Sequence, residues 1–556
     1  MTTPSATAAP GTMTARPVMV LGATGVFGSR ACRLLVRHGA RVLAVARNAE
    51  RLAALAAETG VETAAAQLPA GLDALLANHR PAAVIDTCGP FQQRDYAMPR
   101  ACIAAGVPYI DISDAREDVA AIGTLDRAAR EAGVAVIAGA SSVPGLSSSV
   151  IDHLARRFSR LEAVEIAIAP GNDAPRGRAV IASILSYIGR PIARWQDGDW
   201  REVTGWQDSR RIAIGTLGKR RVAACDVPDL VLLPNRYPSL RSVSFHAGLE
   251  LALHHWGLWL LSWPVRWGWL ERPECLTGLL LFLAQCTRRL GSDSGGMRVA
   301  LSGLGQDGRP RHVVWTLEAL RGDGPMVPVL PAVALALAIL AGRGPGPGAR
   351  PCMAEVPLAA ITDLFEDLAI EAMLEDTAPP SLFRRILGEA LDTVPPAIRA
   401  LHELSHTTTA AGIGTVEHGD NLIAKIAARL RLLPAAGETL PIAVTFAISS
   451  EEETWRRNFD GHHETSRLAY GAPGCVIERF GALTVEMAVT AGAQGIDYVA
   501  GRNRLFGLPL PGWLGLKASG RERLDPAGRF GFDVTIDLPA GLRLIRYRGW
   551  LALPGA

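Results

Sequence analysis

Lysine is almost missing from this 556-residue chain: only Lys219, Lys425 and Lys517 are present, so arginine supplies nearly all the positive charge. None of the three has a tyrosine four positions upstream, which excludes a YxxxK proton relay. The eight cysteines are scattered without a CxxC pair, which excludes a zinc ribbon and argues against a disulfide scaffold. The pattern suits reduced thiols in a cytoplasm. A net charge of +3 leaves no footprint for a nucleic-acid partner. Residues 1–16 lack the apolar segment of a secretory signal and are expected to be a disordered leader.

Long uninterrupted apolar runs are also lacking. "PMVPVLPAVALALAILAG" (Pro325–Gly342) is uncharged over about one bilayer-spanning length. Pro328 and Pro331 confine its helix to about residues 331–341, the length of a buried core helix. "WGLWLLSWPVRWGWL" (Trp256–Leu270) carries five tryptophans and is interrupted by Pro264 and Arg266. Its first reading is a buried helix or an apolar substrate channel. The alternative is a peripheral membrane belt, because indole joins an apolar body to one polar N–H.

What is present begins with alternation. A chain of this length implies several domains. Between residues 17 and 141, short apolar runs ("VMVLGA", "RVLAVA", "VETAAA", "AAVIDT", "PYIDIS", "VAVIAG") alternate with Ala/Arg/Leu-rich amphipathic segments. That order predicts βαβ units and an α/β fold with a doubly wound, mostly parallel Rossmann sheet. Ligands of such sheets lie beyond the carboxyl ends of the strands, so the loops there are the places to search.

The first such loop reads Gly22-Ala23-Thr24-Gly25-Val26-Phe27-Gly28. The first glycine permits the tight turn, the second lets backbone approach a pyrophosphate, and the third lets helix pack on strand. A helix opening near Val26 would aim its free N–H groups at the phosphates. The second strand ends in Arg47-Asn48, where an NAD-preferring domain carries a carboxylate. A guanidinium there fits a 2′-phosphate, so NADP is expected rather than NAD. The alternative is a solvated surface arginine. After the fourth strand, Thr87, Cys88, Gly89 and Pro90 are expected beside the cofactor; no histidine or lysine adjoins Cys88 to make it a nucleophile.

Taken in order, GxxGxxG, "CGPF", "ACIAAGVPYIDISD" and "AGASSVPGLSSSVID" resemble the saccharopine dehydrogenase-like oxidoreductases. The resemblance continues through "FHAGLE", "GSDSGGM", "GDGPMVPVLPA" and "GARPC", to about residue 375. It implies an NAD(P)-binding domain at 17–150 and an α+β domain at 151–375 that covers the nicotinamide. Saccharopine reductases proper need cations for several carboxylates. The Trp/Leu-rich stretch here is more similar to the broader group with lipid-associated and trans-acting enoyl reductase-like members. A small or apolar, lipid-like substrate is the expectation, with an interdomain core as the alternative use of the tryptophans.

The fifth-strand loop offers Asp111 and Asp114, and the sixth offers Ser141 and Ser142. Asp114 and Ser142 are the catalytic candidates and Ser141 a cofactor contact. Against this, Asp111 can be structural, and Asp114 fits a helix N-cap.

Residues 376–389 read as a linker leading into a helix. From 390 to 556 the texture changes to alternating β-favouring runs separated by Gly/Pro turns, predicting an antiparallel, closed or curled sheet. "ETWRRNFDGHHETSRL", "GLPLPGWL" and "RYRGWL" resemble an uncharacterised bacterial domain fused behind such oxidoreductases. His462 and His463 point to opposite faces of a strand and make a poor chelate, so no metal site is assigned. Arg456, Arg457, Arg479 and Arg548 either line an acidic-ligand pocket or are solvated charges. The chain is expected to be a cytoplasmic NADP-dependent oxidoreductase, with peripheral membrane contact left open and a carboxyl-terminal domain for a ligand or partner. The rival is a non-catalytic NADP-binding scaffold or sensor.

Overall fold

The computed structural model describes residues 16–89, 91, 95–175, 177–196, 198–308, 310–377, 380–404, 408–448 and 452–553. Apart from Arg16, the expected leader lies outside these residues, as does Pro90. The chain divides into two compact units: residues 1–301 with 313–376, and residues 302–312 with 377–556.

Unit 1 opens with β1 (Val18–Leu21), β2 (Val42–Ala46), β3 (Glu62–Ala65), β4 (Ala83–Asp86), β5 (Tyr109–Asp111) and β6 (Ala135–Ala138). They lie in the order β3-β2-β1-β4-β5-β6, and the strand Gly348–Pro351 adds to β6. All these pairings are parallel. β1, β2, β4 and β6 are buried along their whole length, as expected of strands covered on both faces. The strand order reverses between β1 and β4, which opens a crevice at their carboxyl ends. Two helices flank it: α1 (Val26–Arg37) and α2 (Ala49–Thr59).

A second, mixed sheet of seven strands follows. Its centre is the long strand Phe158–Ala169, paired in parallel with Ser242–Gly248 and flanked on its other side by Gly295–Gly305. The helix Leu330–Leu340 is buried as its length predicts, with eight of its eleven residues in the core.

The tryptophan stretch departs from both of its first readings. The helix Ala252–Arg266 buries only His255, Leu258, Ser262 and Val265, a single stripe at helical spacing. Trp256 is 40% exposed, Trp267 53% and Trp269 77%; Leu260 is exposed beside them. The neighbouring helix Thr277–Cys286 exposes Leu279 and Phe282 in the same way. A segment apolar all round cannot bury every face on one sheet, so the surplus faces outward. No helix of the described residues is long and apolar enough to cross a membrane.

Unit 2 is an antiparallel β-barrel. Ten strands, from Thr408–His418 to Arg543–Ala552, pair in a ring that closes where Leu483–Gly492 meets Gly495–Leu505. Of the two expected forms, closed or curled, the sheet takes the closed one, which removes the exposed edges. The stretch read as a linker is ordered in part: Ile370–Thr377 is a strand. Leu382–Leu387 is a helix with Leu382, Phe383 and Ile386 buried. The helix is the one expected to follow the linker, and its three apolar residues belong to the barrel's core.

Candidate active site

At the crevice of unit 1 lies a cleft of about 1060 Å³. That is the top of the roughly 300–1,000 Å³ range for ligand sites, so it has room for more than one small ligand.

The glycine turn forms one wall. Gly22 has φ +76°, and a Cβ there would meet the Thr87 hydroxyl at 2.9 Å and the Cys88 sulfur at 3.0 Å. At Gly28 a Cβ would fall 2.3 Å from the Gly22 carbonyl oxygen, so this residue packs α1 onto the turn and does not itself line the cleft. α1 begins at Gly25 with no side-chain cap and no acid in its first turn, leaving amide donors for an anion. Gly22, Thr24, Gly25, Val26 and Phe27 all border the cleft. These residues fit a dinucleotide's pyrophosphate.

At the tip of β2, Arg47 and Asn48 also border the cleft. Asn48 plays a local part: its side-chain oxygen accepts from the Arg51 backbone N–H at 2.8 Å and caps α2. Arg51, in the first turn of α2, also lines the cleft.

The loops after β4, β5 and β6 complete this side. Thr87 donates its hydroxyl to the Leu21 carbonyl at 2.7 Å, tying β4 to β1. The Cys88 amide donates to Asp86, whose other oxygen accepts from the Tyr109 hydroxyl at 2.8 Å. Thr87, Cys88 and Gly89 line the cleft, as do Ser141 and Ser142. Asp111 is structural, accepting from the amides of Ser113 at 3.0 Å and Gly139 at 2.8 Å.

Asp114 is not the helix cap. The helix begins at Arg116 after Ala115, and Ser113 supplies the local hydroxyl, accepting from the Ala115 amide at 3.2 Å. That frees the Asp114 carboxyl to face the cleft, where it is exposed to the open space yet enclosed by unit 1. The enclosing protein pushes its pKa above the usual carboxylate value by desolvation.

The opposite wall comes from the second sheet and is largely apolar, with Ile168, Phe245, Met297 and Leu317. Sequence reasoning missed its polar centre. The Cys225 thiol donates to the Tyr187 hydroxyl oxygen at 3.0 Å, and both residues line the cleft. Burial pushes both pKa values up. Beside them Asp226 is paired with Arg116 at 2.9 Å. No motif announces these residues; only folding brings "SYIG" and "ACDVP" to the cleft.

"FHAGLE" and "GSDSGGM" shape the rim. Glu250 accepts from the amides of Asn172 at 2.7 Å and Ser292 at 2.9 Å, from the Ser292 hydroxyl at 2.8 Å, and pairs with Arg220. Gly248 and Asp293 thereby stand along the cleft. Among the described residues no cluster of three His, Cys, Asp or Glu side chains is placed to hold a metal ion.

A doubly wound sheet with a glycine cradle at its switch point defines unit 1's first domain as a nicotinamide-dinucleotide-binding domain. Residues 18–137 match the family model of the saccharopine dehydrogenase NADP binding domain. Residues 394–551 match a domain of unknown function, DUF4166. A Mycobacterium tuberculosis protein named as a candidate trans-acting enoyl reductase, found in strains H37Rv and CDC 1551, is 31% identical over 163 residues. The aligned part takes in 26% of this chain, which spans only 38% of the relative's length. Among solved structures, apo saccharopine dehydrogenase of Saccharomyces cerevisiae is 14% identical with a TM-score of 0.48, covering 65% of this chain and 100% of its own. Homospermidine synthase of Legionella pneumophila, in complex with NAD, is 12% identical with a TM-score of 0.45, covering 67% of this chain and 93% of its own. At such scores neither likeness assigns a residue role or substrate.

Proposed function

We propose that unit 1 is an NADP-dependent reductase of an uncharged, largely apolar acceptor. The supporting observation is one cleft with two unlike walls: a glycine cradle with Arg47 and Arg51 on one side, an apolar sheet on the other, and Asp114 facing the space. Among the described lining residues the cations are Arg47, Arg51 and Arg178, too few for both a 2′-phosphate and a substrate of several carboxylates. When bound, the reduced nicotinamide supplies a hydride.

The chain's own residues do the rest. Gly22, Thr24, Gly25, Val26 and Phe27 hold the pyrophosphate side, Arg47 and Arg51 the 2′-phosphate. The loop of Thr87, Cys88 and Gly89, with Ser141, borders the nicotinamide end. Asp114 delivers the proton that accompanies the hydride, its raised pKa keeping the donor form populated at higher pH than an ordinary carboxyl. Tyr187 and Ser142 orient the acceptor. A C=C bond is favoured over C=O or C=N by the name of the mycobacterial relative. Unit 2 holds a ligand, and the exposed tryptophan surface touches a membrane from the cytoplasmic side.

A scaffold or sensor needs the glycine cradle but no open, acid-lined space beside it. The experiment is Asp114→Asn against a panel of apolar enoyl and carbonyl acceptors. The expected result is unchanged NADPH affinity with turnover lowered about 10²–10⁴-fold, and wild-type kcat falling as pH rises, because the donor must be protonated. Turnover unaffected by the substitution would remove Asp114 as donor. No turnover of any acceptor by the wild type would favour the scaffold.

A further inference from the structure

A barrel of about eight strands is just filled by its own side chains or holds one small ligand, and diameter grows with strand number. Unit 2 closes with ten strands and contains a cavity of about 440 Å³. Inward-facing apolar residues that would be sealed in a filled core, Phe532, Val534 and Ile536, are only half-buried along this cavity. The remaining wall is apolar, from Phe446, Leu468 and Met487.

The polar groups inside are mostly matched to one another. Arg457 donates to Ser466 at 2.8 Å and to Glu478 at 3.1 Å. Glu522 accepts from His402 at 2.6 Å and from the Tyr498 hydroxyl at 3.1 Å. Two groups along the cavity remain accessible. Glu464 is 28% exposed, and among the described residues its ion partner is His462 at 3.6 Å. The half-buried Tyr547 hydroxyl lies in the field of Arg457, Glu464 and Glu478. The buried guanidinium, Arg457, is already engaged. Arg521, the other arginine along the lining, is 73% exposed and turned towards Asp497. Among the described residues the interior therefore offers the Tyr547 hydroxyl and the Glu464 carboxyl to a newcomer, and neither lining arginine is a spare buried cation.

We propose that the barrel binds one uncharged amphiphile, a long-chain alcohol or similar neutral apolar molecule, with its polar end between Glu464 and Tyr547, and discriminates against fatty carboxylates. This deepens the part of the functional reading that gives unit 2 a ligand; it is independent of the reduction assigned to unit 1. Burial of the chain against the apolar wall supplies affinity. An anionic head would instead meet Glu464 and Glu478 in a low-dielectric space.

The test uses the full chain and the neutral dye Nile red, displaced by dodecanol or by dodecanoate. Dodecanol is expected to displace the dye at least tenfold more tightly than dodecanoate. Val534→Trp, which fills the cavity, is expected to abolish dye binding. Glu464→Gln, a mild change, is expected to narrow the alcohol-to-acid ratio at least threefold while dodecanol binding persists. An NADPH titration of the same samples, expected to be unchanged in both variants, separates failure here from failure of the unit 1 reading. Dye binding that survives Val534→Trp with the fold intact would place the ligand elsewhere. Equal displacement by alcohol and acid, or a ratio that Glu464→Gln leaves unchanged, would overturn the head-group assignment.

Discussion

In the cleft of unit 1, Asp114 faces open space with its pKa raised by the protein around it. In the barrel of unit 2, Glu478 has an arginine at 3.1 Å and Glu522 has both a histidine and a tyrosine. Both cavities contain carboxyl groups among apolar walls, but the cleft turns Asp114 to its open space while the barrel pairs Glu478 and Glu522 with its own side chains. The difference separates charge kept for chemistry from charge needed for folding. Removing a cleft charge should alter binding or turnover and leave stability alone. Removing one member of a barrel pair should do the reverse.

The largest expected effect follows from that contrast. Arg457→Met leaves Glu478 buried and uncompensated and should destabilise unit 2 by about 3–5 kcal/mol. Chemical denaturation followed by Trp455 burial or amide exchange in the barrel checks it. NADPH affinity should not move. A loss under about 1 kcal/mol would mean that the barrel charges are solvated and that the contrast is false.

Asp229 sharpens the comparison from within unit 1. It is fully buried, accepts from the Ser147 hydroxyl, and has its pKa pushed up by burial from 3.8 to about 7. Below about pH 4 the acid is neutral in both folded and unfolded chains. Between pH 4 and 7 only the unfolded chain loses the proton, so stability falls as pH rises and levels off above 7. Asp229→Asn should remove that decline, a gain reaching at most about 4 kcal/mol at pH 8 and absent at pH 4. Thermal unfolding across this pH range measures it.

The smallest effect concerns the outer surface. Trp267→Ser with Trp269→Ser removes two exposed indoles without touching either cavity. Co-sedimentation with phosphatidylglycerol vesicles should fall several-fold, while stability stays within about 0.5 kcal/mol. Unchanged sedimentation would detach this surface from membranes.

Local features were legible in the sequence where local geometry decides them. Gly22 and Gly28 could be read from spacing because a tight turn and a close helix demand glycine. The helix Leu330–Leu340 followed from its two prolines. Three things were not legible. The local roles of Asn48 and Asp114 were not: one side chain can serve either a helix terminus or a ligand, and the backbone path makes Asn48 a cap and leaves Asp114 uninvolved in one. Tyr187 ends the helix Arg178–Tyr187 and Cys225 follows the strand Lys219–Ala224, so only tertiary folding brings them together. The tryptophan helix had enough apolar surface for a core, but which face the sheet covers is a matter of packing, not composition.

The central claim is that the cleft of unit 1 holds NADP through the arginine pair beyond β2. Its most direct test is fluorescence titration of NADPH and NADH into the wild type and into Arg47→Ala. The account predicts tighter NADPH than NADH for the wild type. It predicts an NADPH affinity lowered about 10–100-fold by the substitution, the loss of a charge-assisted contact of about 1.5–3 kcal/mol, with NADH little changed. Tighter NADH binding by the wild type, or an NADPH affinity indifferent to Arg47, would contradict it.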